Sequence, residues 1–270
     1  MPRMIDHVSA PDLLASLDTN MIAYWLPYGR AATSRFAADD TVAWFYTGVP
    51  HPLFNGVMGA ALKAEAIAPL VATLGAFITQ GGAPLLWWVG PLAEPADLGT
   101  RLARLGLQPA GEAPAMAIEL ARLPEAPEAV ADFIVRPVDG AEAQALWARI
   151  AARGSEFPAP AVDALEALER TLADQDYRAQ RRYVGFLDGV PVATSALVLE
   201  AGVAGIYAVA TIPEARGKGV GRLMTLKPLI EARAIGYRVG ILQASSMGHP
   251  IYEKIGFADV GTYRLYLQAG

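Results

Sequence analysis

The sequence predicts an α/β (α+β) fold built as two similar halves. Segments of strand composition alternate with segments of helical period along the whole chain. The order strand, helix, strand, short helix, strand occurs twice, the mark of a diverged internal repeat, although any alternating α/β chain shows some of it. Only the second copy carries a glycine-rich, cationic turn between its strand and its long helix.

The elements follow in order. Ser9 or Asp12 caps a first helix backed by Leu13, Leu14 and Leu17. Residues 41–47, TVAWFYT, have strand composition; Pro50 and Pro52 make the next stretch a loop. An alanine-rich helix is expected over 60–80, troubled at Pro69 and stopped by Gly81-Gly82. PLLWWVG at 84–90 reads as a buried strand, with Trp87 and Trp88 on opposite faces. A short helix over 97–105 and a strand over 115–120 close the first half. Proline and acidic residues cluster between 121 and 134, as a linker would.

In the second half a strand is expected over 133–138, and helices over 140–153 and 161–173. Strands over 182–187 and 192–199 form a hairpin about Asp188-Gly189. Arg181-Arg182 before it call for no special role. A strand over 206–212 leads to a helix from Gly219 to about Arg233, kinked at Pro228 and ended by Gly236. A strand over 239–244, a short helix over 249–254 and a strand over 260–267 complete the chain.

Composition sets bounds on function. In 270 residues, 53% hydrophobic and 18% charged content supply one large or two modest cores without a disorder signature. With 22 Lys+Arg against 27 Asp+Glu the net charge is −5, which argues against a nucleic-acid or anionic-membrane surface. The absence of cysteine excludes disulfides and thiolate chemistry. His7, His51 and His249 lie far apart, so no metal is expected. The apolar stretch 66–79 is too short to span a bilayer and the N-terminus lacks a signal-type apolar run, so a soluble, cytoplasmic protein is expected.

The turn Arg216-Gly217-Lys218-Gly219-Val220-Gly221-Arg222 carries the chemistry. Cations beside a helix N-terminus are unfavourable unless an anion lies between them. Its three glycines permit positive φ and let backbone N–H groups close on that anion, for which a phosphate is the natural guest. The pattern satisfies neither a Walker A loop nor a dinucleotide fingerprint. A solvated glycine turn is the plain alternative. Arg-x-x-Gly-x-Gly shortly after a strand-ending proline resembles the pyrophosphate loop of the GNAT superfamily, the Gcn5-related N-acetyltransferases. Tyr252-Glu253-Lys254-Ile255-Gly256-Phe257, at the right distance downstream, is similar to that family's final helix and strand start.

The resemblance covers 133–268 and, more weakly, the first half. It implies two GNAT-like domains, each a mixed, mostly antiparallel sheet flanked by helices: a degenerate one over 1–123, a linker over 124–132 and an acetyltransferase domain over 133–270. In the degenerate copy, the segment from His51 to Gly59 stands where the loop would be, without its cations. The resemblance further implies that Val209, Ala210 and Thr211 pair with the pantetheine arm of acetyl-CoA. The N–H groups of Gly217, Lys218, Gly219, Val220, Gly221 and Arg222, with Arg216, would hold its pyrophosphate. Strands 206–212 and 239–244 would splay around the thioester, a backbone N–H near Val209 would polarise its carbonyl, and Tyr252 would protonate the leaving thiolate. Ser246 would touch the cofactor, or serve only as a helix cap. Tyr207 faces either the acceptor or the core, His249 caps its helix, and Glu200 is a guess at the base against a solvated strand end. The loop over 48–56 and one of Trp87 and Trp88 could reach the acceptor cleft; the other aromatics, Trp25, Trp44 and Phe45, read as core. The expected activity is transfer of an acetyl (acyl) group from acetyl-CoA to the amine of a small molecule or peptide. The alternative is a non-catalytic acyl-CoA-binding sensor or interaction protein on the same fold. Acceptor identity and oligomeric state stay open.

Overall fold

The computed structural model describes residues 4–172 and 180–269. Helix α1 (Leu13–Trp25) starts after Asp12 and buries Leu13, Leu17, Met21 and Tyr24, one stripe at helical spacing. Strands β1 (Arg35–Ala38), β2 (Ala43–Tyr46) and β3 (Asn55–Met58) follow. Helix α2 (Ala64–Gly81) leads to the fully buried strand β4 (Leu85–Val89), then α3 (Leu98–Arg104) and the long strand β5 (Gln108–Glu119).

The second half runs β6 (Phe133–Pro137), α4 (Gly140–Gly154), α5 (Ala159–Leu172), β7 (Gln180–Leu187), β8 (Val190–Glu200) and β9 (Val203–Thr211). Helix α6 (Val220–Ala234), β10 (Val239–Gln243), α7 (His249–Ile255) and β11 (Ala258–Gln268) complete it. The last residue of the helix expected over 161–173 lies outside the described residues. Asp188 and Gly189 take positive φ at the β7–β8 hairpin, as their turn requires. Both α2 and α6 continue through their prolines, Pro69 and Pro228.

One mixed, mostly antiparallel sheet runs through the molecule in the order β1-β2-β3-β4-β11-β5-β10-β9-β8-β7-β6. Its parallel pairs are β3 with β4 and β9 with β10. The two half-sheets join because the halves exchange their final strands. β5 pairs with β10 of the second half, and β11 pairs with β4 of the first, while β5 and β11 pair with each other.

Two sequence expectations need correction. The strand parallel to β4, and so the counterpart of β9, is β3 and not the 41–47 stretch. The counterpart of the glycine turn is therefore the segment from Gly59 to Lys63, not His51 to Gly59. Asn55-Gly56 imitates a turn signal, but the Asn55 side chain is buried and staples the preceding loop. It accepts from the Thr47 and Gly48 amides and donates to the carbonyls of Val49 and Pro84. Second, Arg182 is buried and ion-paired with the buried Glu169, whose other oxygen accepts from the Tyr28 hydroxyl at 2.7 Å. Helix α2, at 18 residues, reaches by length and composition the span of a membrane, where the 66–79 stretch alone does not. Its Ile67, Val71, Leu74 and Ile78 pack in a core with Leu85 and Trp87.

Candidate active site

The site begins where the sheet opens. β9 and β10 pair only where Ala204 faces Gly240 and Gly205 faces Ile241; beyond that point they have no shared register. β9 keeps its bond to β8 on the other side, where it carries a bulge. Between Tyr207, opposite Ala196, and Ala210, opposite Thr194, β9 holds Ala208 and Val209 against the single residue Ser195. Ala208 takes φ +47°, a strained angle for a residue with a Cβ. Thr194 steadies it by donating its hydroxyl to the Ala208 carbonyl at 2.9 Å. The split therefore exposes one edge of β9 from Ile206 to Thr211.

Two cavities meet in this split. The first, about 570 Å³, runs from Val209, Ala210 and Thr211 along the glycine turn to Tyr252 and Lys254. The second, about 420 Å³, lies between the halves and shares Val209, Ser245 and Tyr252 with the first.

At the far end of the first cavity, Gly217 and Gly219 adopt φ +76° and +79°. No side chain comes within 4 Å of the place where a Gly217 Cβ would stand. Gly219 is the N-cap of α6 and supplies no side-chain cap. Among the described residues, the amides of residues 217–222 donate no hydrogen bond within the protein, whereas Leu223 N already bonds the Gly219 carbonyl. Such a row of amides at a helix start is a cradle for an anion. Gly217, Gly219, Val220, Gly221 and Arg222 line the cavity; Lys218 is exposed outside its lining.

Arg216 is placed differently from a free phosphate clamp. Its guanidinium donates to the Thr211 carbonyl at 3.1 Å, to the Gly154 carbonyl at 2.9 Å and to Glu156 Oε1 at 2.9 Å. It ties the end of α4 to the end of β9 and so fixes where the turn begins. Gly154 permits that closeness, since a Cβ there would lie 2.9 Å from Thr211 N.

Tyr252 stands on α7 at the junction of the cavities. Its ring meets Phe257 edge-on, with centroids 5.9 Å apart. Burial pushes its phenol up to about 12, so it keeps its proton at neutral pH. Ser246 lines the second cavity, while its neighbour Ser245 lines both and caps the turn into α7 through the Gly248 amide at 3.1 Å. Tyr207 forms a wall of the second cavity; its hydroxyl donates to Asn20 Oδ1 at 2.8 Å and its ring stacks on Tyr24 at 4.3 Å. Glu200 belongs to neither cavity and accepts from the Ala201 amide at the β8–β9 turn. His249 is held by Asp259 at 2.9 Å, away from both.

The first half supplies part of the wall of the second cavity. Asn20 of α1 donates to the carbonyls of Val198, Glu200 and Val203, which seats that helix on β8 and β9. Tyr24 and Trp25 are thereby brought to the cavity wall, with Trp88 from β4 and Leu53 and Phe54 from the loop expected there. Trp87 points to the other face and donates to Gln268. Asn20 and Gly154 carry no motif, and nothing local in the sequence singles them out.

Residues 173–260 match the family model described as acetyltransferase (GNAT) domain. The whole chain is similar in structure to a GCN5-related N-acetyltransferase from Kribbella flavida, at 19% identity, covering 93% of this chain and 96% of that one with a TM-score of 0.65. A tandem GNAT protein from the clavulanic acid biosynthesis pathway matches at 14% identity over 98% of this chain and 90% of its own, with a TM-score of 0.59. A GCN5-related N-acetyltransferase from Sphaerobacter thermophilus matches at 16% identity over 84% and 76%, with a TM-score of 0.55. A comparison with curated proteins gives no match. Residues 173–260 thus match a GNAT domain, and the chain as a whole shares the fold of these GCN5-related N-acetyltransferases, one of them a tandem GNAT protein.

Proposed function

We propose that the protein is an acetyl-CoA-dependent N-acyltransferase acting on a primary amine. The observation that carries this is the pairing of a row of unpartnered amides, at residues 217–222, with a split between β9 and β10 at the other end of one cavity. A diphosphate fits the first and a thioester fits the second, and Lys218 and Arg222 add positive charge at the diphosphate end. The free edge of β9 from Val209 to Thr211 offers backbone groups to an extended amide-bearing arm, as a sheet edge does to an added strand.

Acetyl-CoA supplies an activated acyl carbonyl and a thiolate leaving group. The chain supplies placement. The bulge holds the Val209 backbone at the junction, where its N–H can polarise a carbonyl oxygen. The amine enters from the second cavity; its nitrogen bonds the acyl carbon as the carbon–sulfur bond breaks, and one proton leaves nitrogen while one reaches sulfur. Tyr252 holds the proton for sulfur, and a thiol of ordinary pKa ~8.5 departs more readily with that donor beside it.

Titration calorimetry with acetyl-CoA tests the cradle. Gly219→Asp places a carboxylate among the amides at a positive-φ position, and acetyl-CoA affinity is expected to fall by at least about 100-fold with the far-UV spectrum unchanged. Unchanged affinity removes the assignment. A sensor without catalysis would instead bind normally and release no thiol with any amine.

A further inference from the structure

We propose that the second cavity seats the ring-bearing, apolar body of the acceptor, so that the substrates are hydrophobic primary amines of the arylalkylamine type. This rests on the acyltransferase assignment above and specifies its other substrate. The cavity is about 420 Å³, in the range of small-ligand pockets (about 300–1,000 Å³), so it takes a whole small molecule. Its walls carry aromatic rings from five parts of the fold. Tyr24 and Trp25 come from α1, Trp88 from β4, Trp147 from α4, Phe157 from the α4–α5 turn and Tyr207 from β9.

Three of the polar groups on the lining rings are already engaged. The Tyr207 hydroxyl donates to Asn20, the Tyr28 hydroxyl to Glu169, and the Trp147 indole to the Ser195 carbonyl at 3.1 Å. A polyhydroxylated acceptor would surrender its hydrogen bonds to water against these ring faces, where Gln243 and the three serines of the lining replace only part of them. An aryl group would instead pack against rings that are already ordered, such as the Tyr24–Tyr207 pair, stacked at 4.3 Å with planes 10° apart.

The lining contains one carboxylate, Glu112 of β5, which is exposed. An amine arrives as an ammonium ion, and that carboxylate together with the ring faces attracts a cation. The same cavity reaches the junction at Val209, Ser245 and Tyr252. The overall step is R–NH3⁺ plus acyl-CoA giving the amide, CoA thiol and one proton released to solvent. The nitrogen–carbon bond forms as the carbon–sulfur bond breaks, with no redox change.

Two measurements test this on the full chain. The first is quenching of tryptophan fluorescence by 2-phenylethylamine without acetyl-CoA, since Trp25, Trp88 and Trp147 line the cavity. The second is thiol release with 2-phenylethylamine, ethanolamine, kanamycin and a short peptide with a free N-terminus. The expected result is saturable quenching, and kcat/KM for 2-phenylethylamine at least 100-fold above the other three. Trp25→Ala and Phe157→Ala should each lower that kcat/KM by at least 10-fold with acetyl-CoA affinity unchanged by calorimetry. Ethanolamine, kanamycin or the peptide reacting as well as 2-phenylethylamine overturns the proposal, as does acetyl-CoA binding with no quenching. Quenching without thiol release keeps the cavity assignment and removes the acyl-transfer assignment instead.

Discussion

Tyr252 bears most on the chemistry, and burial sets its behaviour. A phenol raised to about 12 remains neutral and proton-bearing to higher pH than a free tyrosine. The rate of thiol release should therefore rise as the amine loses its proton and should not fall between pH 8 and 10. A fall in that window would mean that the proton donor titrates as an ordinary or activated phenol. Tyr252→Phe should leave acetyl-CoA affinity intact and lower kcat by about 100-fold, within the span usual for a positioned acid; an unchanged kcat would remove the role. The turn and Tyr252 were legible because glycine spacing and a helix-ending Gly-Phe leave a local pattern. Arg182 was not, since an arginine in a strand gives no sign that a distant Glu169 and Tyr28 will receive it in the core. Arg216 was half legible: its place was readable, but its three partners come from Thr211, Gly154 and Glu156 and make it a clip.

At the scale of elements, the site depends on how close α4 comes to β9. In Gly154→Ala the new Cβ would lie 2.9 Å from Ala210 Cβ and from Thr211 N, so backbone has to move. The expected loss is about 1–3 kcal/mol of stability, as for other overpacked contacts, with at least about 10-fold weaker acetyl-CoA binding. Thermal unfolding and calorimetry on one preparation check both, and a variant with wild-type values would show that the approach is not constrained. Hydrophobic pattern reveals strands whose side chains fill a core, which is why β4, β7 and β8 were readable. β1 is exposed along its length and β3 opens on Asn55-Gly56, so neither presents that pattern. The bulge at Ala208 is invisible for a different reason: it is set by register against β8, not by residue type.

At the scale of the molecule, the exchange of β5 and β11 makes the two halves one structure. A cut near residue 123 would leave β11 without both neighbours, β4 and β5, and would uncover the β5 edge of β10. Calorimetric unfolding of the whole chain should show one transition, with calorimetric and van't Hoff enthalpies in agreement. Residues 133–270 expressed alone should be aggregation-prone through the exposed edge. Two separate transitions, or a soluble second half that binds acetyl-CoA at wild-type affinity, would contradict this. The repeat was readable from the order of elements, but the exchange was not, because β5 and β11 are alike in length, 12 and 11 residues, and composition does not choose their neighbours. The same exchange, with α1 seated on β8 and β9, brings first-half rings to the second-half split.

The central claim is that the turn from Gly217 to Arg222 and the split at Val209 belong to one ligand. A crystal structure of the protein with acetyl-CoA tests it most directly. The account predicts the diphosphate on the amides of residues 217–222, the extended arm along Val209 to Thr211, and sulfur beside the Tyr252 hydroxyl. Acetyl-CoA bound away from that turn, or with its thioester outside the gap between β9 and β10, would contradict it.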